Sequence, residues 1–351
     1  MRNLWNTLLH RWRFWQQTHD PEADFVVHRP HKRKHSNHFQ SQPTLNRLAV
    51  QIAFCLCAVL FLLSIIALVT YLASYIGSRQ ASETMRNAYY AEQSAPAEPP
   101  TPAASHVSAQ SPAVTPAPTV IPSSVPTATM PTRLEPVRYP LNALNIISKR
   151  FEKLRRQNKD IIGWLTIEGM LDEAVVQRDN DYYLNRDYRG YHNVNGAIFL
   201  DQHCDLSSRP YTFLVYGHNM KSGLMFGSLR NYEDITFYRN NPFITFDTLY
   251  EDGRYVIFAV SLVSTDPSNW RFLNFTSLCS PLIDERKAEL KTLFYRSRYL
   301  STVDVQPEDQ LLLLITCASS DTERRVIAAR RIRDGETEAD LRKQIQKTTL
   351  R

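Results

Sequence analysis

An uninterrupted apolar stretch near the N-terminus constrains this chain more than any other feature. Between Arg47 and Arg79 no residue is ionisable apart from tyrosine and cysteine, and the segment runs IAFCLCAVLFLLSIIALVTYLASYIG. A helix of about 20 apolar residues is long enough to cross the ~30 Å hydrocarbon core of a bilayer. A buried core helix is usually amphipathic, and the apolar region of a cleaved signal peptide is shorter and begins earlier. We therefore predict a single N-terminal transmembrane helix over residues 49–77.

The distribution of charge predicts the orientation of this helix. The formal net charge is +6, which by itself would suggest a nucleic-acid-binding protein. However, residues 1–48 carry eight basic and three acidic residues, so most of the excess lies in this tail, which also holds six of the ten histidines. The positive-inside rule then predicts a cytoplasmic tail that contacts membrane lipids, and an exported C-terminal part. The exported part is close to neutral, which disfavours nucleic acid as a partner.

Composition divides the rest of the chain into two segments. Residues 78–140 are rich in proline, alanine, serine and threonine, and 12 of the 20 prolines fall between Ser94 and Pro140. Such a sequence buries too little apolar surface to offset its conformational entropy, and its proline content favours an extended backbone. We predict an extracellular linker over 78–140 that acts as a stalk, followed by one domain over 141–351.

The sequence of residues 141–351 predicts short strands separated by turns. Seven or more such strands with few helices predict a barrel or a sandwich. Helical spacing of apolar residues predicts additional helices at 143–158, 281–298 and 336–348. The predicted strands are IIGWLTI (161–167), EAVVQ (173–177), GAIFL (196–200), YTFLVYG (211–217), RYVIFAVSLV (254–263), LLLLITC (311–317) and RRVIAARRI (324–332).

Three cysteines lie in the predicted exported part, and an odd number leaves at least one thiol unpaired. Cys317 ends the apolar run LLLLIT, where a strand meets a loop, although its position alone also fits a buried strand cysteine. A nucleophilic thiolate needs a cationic or proton-accepting neighbour. The candidates are His218, in the polar turn YGHNM after a predicted strand, and Arg324, at the start of the strand that follows Cys317.

The order of several motifs resembles one family over nearly all of residues 141–333. The motifs are IIGWLTIEG (161–169), AVVQRDNDYYLNRDYRG (174–190), GAIFLD (196–201), YGHNM (216–220) with KSGLMFGSLRNY (221–232), LLITC (313–317) and RRVI (324–327). Together they resemble the sortases, and specifically class B. The resemblance implies a mainly β fold, a closed barrel of about eight strands with N-terminal helices and a helical insert before the strand of the cysteine.

The resemblance also implies roles for individual residues. His218, Cys317 and Arg324 match the catalytic histidine, cysteine and arginine. Arg325 is a rival for the arginine because the register of a strand that starts with two arginines is uncertain by one. The resemblance further implies that three residues line the substrate groove: Asn180, Leu184 and Tyr216. The position four residues before the cysteine, usually threonine in the family, is Leu313 here.

The resemblance implies that this chain is a membrane-anchored cysteine transpeptidase without a metal or cofactor. The resemblance implies that exported proteins bearing a C-terminal sorting signal are cleaved through a thioacyl-enzyme and transferred to an amine, either of a peptidoglycan precursor or of a pilin lysine. Two alternatives remain open from the sequence. A papain-like protease is disfavoured because its cysteine precedes its histidine in the chain. An inactive sortase-like binding module is disfavoured because all three catalytic residue types are present.

Overall fold

The computed structural model describes residues 43–93, 132–135, 139–317 and 322–351. The predicted cytoplasmic tail before residue 43 and the Pro-rich residues 94–131 lie outside the described residues. Contacts divide the chain into two compact units, residues 1–63 and 64–351. In the first unit the described residues belong to the N-terminal part of one long helix, α1 (Pro43–Gln93). All other elements lie in the second unit.

Eight strands of the second unit form a barrel: β1 (Ile161–Ile167), β2 (Leu171–Val176), β3 (Ile198–Leu200), β4 (Thr212–Tyr216), β5 (Phe243–Thr248), β6 (Arg254–Ser264), β8 (Leu311–Cys317) and β9 (Glu323–Arg331). The short strands β7 (Tyr299–Leu300) and β10 (Thr349–Leu350) pair apart from it. The barrel closes in the order β1-β2-β3-β4-β8-β9-β6-β5. The pairs β2/β3 and β4/β8 are parallel and the other neighbours are antiparallel. The predicted closed barrel of about eight strands is therefore confirmed.

Both faces of the central strands are covered, which explains their nearly continuous apolar sequence. In β8 the residues from Leu311 to Thr316 are all buried. Seven of the eight barrel strands coincide with predicted strands. The sequence analysis missed β5 because its segment FITFDT contains polar residues that reduced the apolar signal.

Short helices cover the barrel and complete the unit. The predicted helix at 143–158 is confined to Lys149–Gln157, where Phe151 and Leu154 are buried. The predicted insert before the strand of Cys317 is confirmed, as two helices rather than one. The helices are α2 (Lys149–Gln157), α3 (Ile235–Asn240), α4 (Phe275–Cys279), α5 (Ile283–Arg296) and α6 (Glu338–Ile345), with 3₁₀ turns at Tyr182–Leu184 and Phe226–Glu233.

Helix α1 contains the predicted transmembrane segment and extends well beyond it. Within Arg47–Ala91 the helix is long and apolar enough to cross a membrane, and its most apolar window has a mean hydropathy of 3.1 with no part buried in the protein. The sequence analysis placed the start of the linker at residue 78, whereas the structure has helix up to Gln93. The physical reason is an amphipathic pattern after the span. Its buried residues recur at helical spacing: Ser78, Ala81, Ser82, Met85 and Tyr89.

This amphipathic end of α1 packs on the barrel. The Tyr89 ring stacks on Trp164 of β1 at 4.5 Å between centroids, and its hydroxyl donates to Asp247 of β5 at 2.6 Å. The Arg86 guanidinium contacts the Asp172 carboxylate at 2.8 Å. Residues 78–89 of α1 therefore contact the barrel, ahead of the Pro-rich segment in the chain.

Glu173 of β2 bonds to α1 and has a raised pKa. Its carboxylate accepts from the Ser82 hydroxyl at 2.7 Å. Burial raises the pKa of Glu173 to about 7, against opposing effects of Ser82 and Arg86. The folded protein thus holds this proton more tightly than the unfolded chain. The contribution of this group to stability is greatest below the unfolded pKa near 4.5 and is lost as the pH rises to about 7.

We therefore expect the Glu173→Gln variant to lose less stability than the wild type between pH 5 and pH 8. The difference should be on the order of 2 kcal/mol in the free energy of unfolding. Denaturant unfolding of the full chain in detergent, measured across this range, checks the prediction. Equal pH dependence of the two proteins would contradict it.

Candidate active site

The predicted site residues meet at one end of the barrel because of the pairing of three strands. Strands β4 and β8 are parallel neighbours, so their C-terminal ends lie side by side. Strand β9 runs antiparallel to β8 and begins at the same end. In this ladder Cys317 stands directly opposite Arg324, and Thr316 stands opposite Arg325. His218 follows β4 by two residues and therefore lies at the same end of the barrel.

A cavity of about 240 Å³ occupies this end of the barrel. Five of the six predicted site residues line it: Asn180, Leu184, Tyr216, His218 and Arg324. The sixth, Cys317, is the last residue of β8 and directly follows Thr316, which also lines the cavity. The sequence analysis did not single out the remaining lining residues: Phe199, Gly217, Ile315 and Thr316.

A backbone carbonyl holds the His218 ring. The Nε2 atom of His218 lies 2.7 Å from the carbonyl oxygen of Leu184, at the end of the 3₁₀ turn Tyr182–Leu184. Because a carbonyl oxygen can only accept, Nε2 carries the proton of this hydrogen bond. The orientation of the ring therefore depends on the position of the 3₁₀ turn.

Gly196 fills the narrow space between this turn and the histidine. Its φ is +61°, and a Cβ atom at this position would lie 2.7 Å from the carbonyl oxygens of Tyr183 and Leu184 and 3.0 Å from Cδ2 of His218. Any side chain here would therefore have to displace backbone. The sequence signals a turn here through the Asn-Gly pair at 195–196, but the proximity to His218 could not be deduced from it.

We expect Gly196→Ala to lower the free energy of unfolding by about 3 kcal/mol, because it adds a backbone clash to an unfavourable φ. Gly169→Ala is the matched control: its φ of +69° is similar, but nothing lies within 4 Å of the added Cβ. The control should cost about 1 kcal/mol. Denaturant unfolding of both variants measures the difference, and equal losses would show that the close approach at Gly196 is unimportant.

The two arginines at the start of β9 have different surroundings. Arg324 lines the cavity, and its Nη1 donates to the backbone carbonyl of Glu323 at 3.0 Å. Arg325 instead forms an ion pair with Glu233, at the end of the second 3₁₀ turn. Neighbouring residues of a strand point to opposite faces, so only one of the two arginines can line the cavity.

Asn180 and Tyr216 are both held next to Asp201, a residue that the sequence analysis quoted only as part of GAIFLD. The Asn180 amide donates to the Asp201 carboxylate at 3.0 Å and accepts from the backbone N–H of Gln202 at 2.9 Å. Burial raises the pKa of the Tyr216 phenol, and Asp201 raises it further, so the hydroxyl stays neutral and able to donate. Within the described parts of the chain no cluster of His, Cys, Asp and Glu could hold a metal ion.

Comparisons with known proteins point to one family. The family model for the sortase domain matches residues 165–332. Sortase B of Listeria monocytogenes is 33% identical over 173 residues, which are 49% of this chain and 67% of the relative. Sortase B of Staphylococcus aureus is 30% identical over 192 residues, which are 53% of this chain and 75% of the relative.

A solved structure extends the likeness to the fold. It is a Bacillus anthracis protein described as similar to sortase B, with a TM-score of 0.52 and 25% identity, and the match covers 74% of this chain and 97% of that one. Identity of this extent, over two thirds or more of both sortase B relatives, shows that the chain belongs to the sortase family as a class B cysteine transpeptidase.

Proposed function

We propose that this sortase cleaves a C-terminal sorting motif of exported proteins with Cys317 as the nucleophile and transfers the cleaved protein to an amine. The observation that carries the proposal is the meeting of His218, Arg324 and the end of β8 around one cavity. A nucleophile, a group that exchanges protons and a permanent cation are the three functions that acyl transfer to an amine requires.

In the first half-reaction the thiolate of Cys317 attacks the carbonyl carbon of the scissile peptide bond. A carbon–sulfur bond forms, and the electrons of the C=O double bond move to the oxygen. Arg324 stabilises this oxyanion because its guanidinium stays charged and presents several donors. When the intermediate collapses, the C=O double bond re-forms, the carbon–nitrogen bond breaks and the imidazolium of His218 gives a proton to the leaving amine. The product is a thioester between Cys317 and the exported protein.

In the second half-reaction His218 takes a proton from the incoming amine, which attacks the thioester carbonyl. The thiolate of Cys317 leaves, and a new peptide or isopeptide bond joins the two partners. Water in place of the amine gives slow hydrolysis. The acceptor is the amine of a peptidoglycan precursor or the side chain of a pilin lysine, which correspond to cell-wall anchoring and pilus assembly.

The substrate motif proposed from family resemblance is of the N-P-x-T-x kind, cleaved after threonine. Asn180, Leu184 and Tyr216 would contact it, since they line the same cavity as His218. Leu184 supplies apolar surface for the proline, and the Tyr216 oxygen can accept a hydrogen bond from the motif.

The apolar part of α1 would anchor the protein in the membrane, with the basic tail in the cytoplasm and the barrel outside. Single-pass anchorage of this kind brings the enzyme to the place where exported proteins leave the membrane. Proteolysis of right-side-out and inverted membrane vesicles, followed by detection of the barrel, tests this topology.

A ligation assay tests the proposed reaction. The full chain in detergent is incubated with peptides of the N-P-x-T-x kind and with a glycine or lysine amine acceptor. The expected product is the N-terminal part of the peptide joined to the acceptor, with faster peptide cleavage when acceptor is present. Acceptor-independent cleavage of many unrelated peptides would instead indicate a protease, and binding of the peptide without cleavage would indicate an inactive binding module.

A further inference from the structure

One hydroxyl of α1 is connected to the histidine of the site through two asparagines. Ser78 is buried on the face of α1 that packs on the barrel. Its Oγ accepts from the Nδ2 atoms of Asn193 at 2.9 Å and Asn195 at 2.8 Å, and donates to the Ser74 carbonyl within the helix at 2.9 Å. Both asparagines are also buried.

The two asparagines shape the turn that contains Gly196. The backbone N–H of Asn195 donates to the side chain of Asn193 at 2.9 Å, and the N–H of Gly196 donates to the carbonyl of Asn193 at 3.0 Å. Ser78 accepts one hydrogen bond from each of the two side-chain amides. The turn is therefore held both by α1 and by hydrogen bonds of its own backbone.

The 193–197 turn is hydrogen-bonded to residues 183–185, which include the Leu184 carbonyl beside His218. The N–H of Asn193 donates to the carbonyl of Asn185 at 2.9 Å, and the N–H of Ala197 donates to the carbonyl of Tyr183 at 3.0 Å. Between these two residues lies Leu184, whose carbonyl accepts from His218. Hydrogen bonds joined by short backbone segments therefore connect Ser78 of α1 to the imidazole ring of His218.

From this path we propose that Ser78 is a positioning residue for His218, so that the helix which continues from the candidate membrane span also sets the geometry of the active site. The proposal rests on the proposed role of His218 in proton transfer. Ser78 does not contact the cavity. It acts by fixing the 193–197 turn and, through it, the Leu184 carbonyl.

Other polar side chains of α1 bond to β2 and β5, and the Ala81 carbonyl of α1 accepts from the Tyr188 hydroxyl at 2.9 Å. None of these partners lies in the 193–197 turn, which separates positioning from simple attachment of the helix. Ser82 bonds to Glu173 on β2, Arg86 to Asp172 on the same strand, and Tyr89 to Asp247 on β5. Of these contacts only that of Ser78 reaches the turn beside His218. Removing Ser82 would therefore weaken the attachment of α1 without disturbing the turn.

The experiment compares Ser78→Ala with Ser82→Ala in the full-length protein in detergent, using the ligation assay. Each change removes one buried hydroxyl from the same face of α1. We expect Ser78→Ala to lower kcat about 10-fold with KM changed less than twofold, because a displaced proton-transfer group slows the reaction more than it weakens binding. Ser82→Ala should keep kcat within twofold. Ser78→Thr, which retains a hydroxyl, should recover most of the lost kcat.

Two further variants complete the design. Thr84→Ala is the exposed control, since this hydroxyl bonds only to the Gln80 carbonyl of its own helix. Asn195→Ala breaks the same bond from the other side, so the double variant with Ser78→Ala should lose no more kcat than the larger single loss. Asn195→Ala alone tests the same link if Ser78→Ala folds poorly.

Two results would overturn the inference: a kcat of Ser78→Ala within twofold of the wild type, or equal losses in Ser78→Ala and Ser82→Ala. A failure of the proposed function is recognised separately, because the wild type would then form no ligated product or the Cys317→Ala variant would still form it.

Discussion

Replacing Cys317 by alanine is expected to abolish ligation, with a loss of at least about 1,000-fold in kcat. The reason is that the proposed reaction passes through a covalent thioester, and neither His218 nor Arg324 can replace the sulfur that forms it. The ligation assay with the full chain, followed by mass spectrometry of the acyl-enzyme, measures both the rate and the intermediate. Persistent ligation by the alanine variant would remove Cys317 from the mechanism.

The chain supplies matched controls for this variant in Cys204 and Cys279. Burial raises the pKa of each of these thiols to about 12, so both are protonated near neutral pH and are poor nucleophiles. Cys204→Ala and Cys279→Ala should therefore retain ligation within a few-fold. Alkylation by iodoacetamide at neutral pH should modify Cys317 far faster than either of them, as peptide mapping would show.

The barrel could be predicted from sequence because its strands are buried on both faces. Continuous apolar runs such as LLLLITC identify such strands without any knowledge of their partners. Strand β5 was not predicted because two threonines and an aspartate interrupt its apolar sequence FITFDT. Asp247 is nevertheless largely buried, where it accepts from Tyr89 of α1 and pairs with Arg150. A polar residue whose partners are remote in sequence cannot be identified as buried from local pattern alone.

The extent of α1 could not be predicted for a related reason. The transmembrane signal is a property of composition and ends where the apolar run ends. The following face of Ser78, Ala81, Ser82, Met85 and Tyr89 contains small and polar residues, and only the barrel makes it a buried face. The 3.6-residue spacing of this face joins mainly small and polar side chains rather than an apolar stripe, so it does not by itself indicate a helix that packs on a domain.

The sequence predicts those site residues that lie at the ends of neighbouring strands. His218 and Arg324 lie at strand ends, and a barrel in which β4, β8 and β9 are neighbours places those ends side by side. The Leu184 carbonyl beside His218 and the glycine that makes room for it are backbone features. They depend on three-dimensional contacts between segments that the motifs do not describe.

Replacing Arg324 by alanine is expected to lower kcat about 100- to 1,000-fold, which is the cost of removing a donor that stabilises an oxyanion. Arg324 stands opposite Cys317 in the β8/β9 ladder and lines the cavity with His218. Arg324→Lys should recover only part of the activity, because an ammonium keeps the charge but lacks the planar donor geometry of a guanidinium.

Arg325→Ala is the matched control, since it removes the same side chain from the adjacent position of the same strand. This variant removes a side chain that is only 13% exposed and breaks its ion pair with Glu233, whose carboxylate is 53% exposed and stays hydrated. We expect its kcat within twofold of the wild type, with a loss of about 1–3 kcal/mol in the free energy of unfolding from the lost packing and ion pair. Steady-state kinetics of the three variants in the ligation assay measure these effects. A large loss in Arg325→Ala together with an active Arg324→Ala would transfer the oxyanion role to the neighbouring residue and shift the functional register of β9 by one.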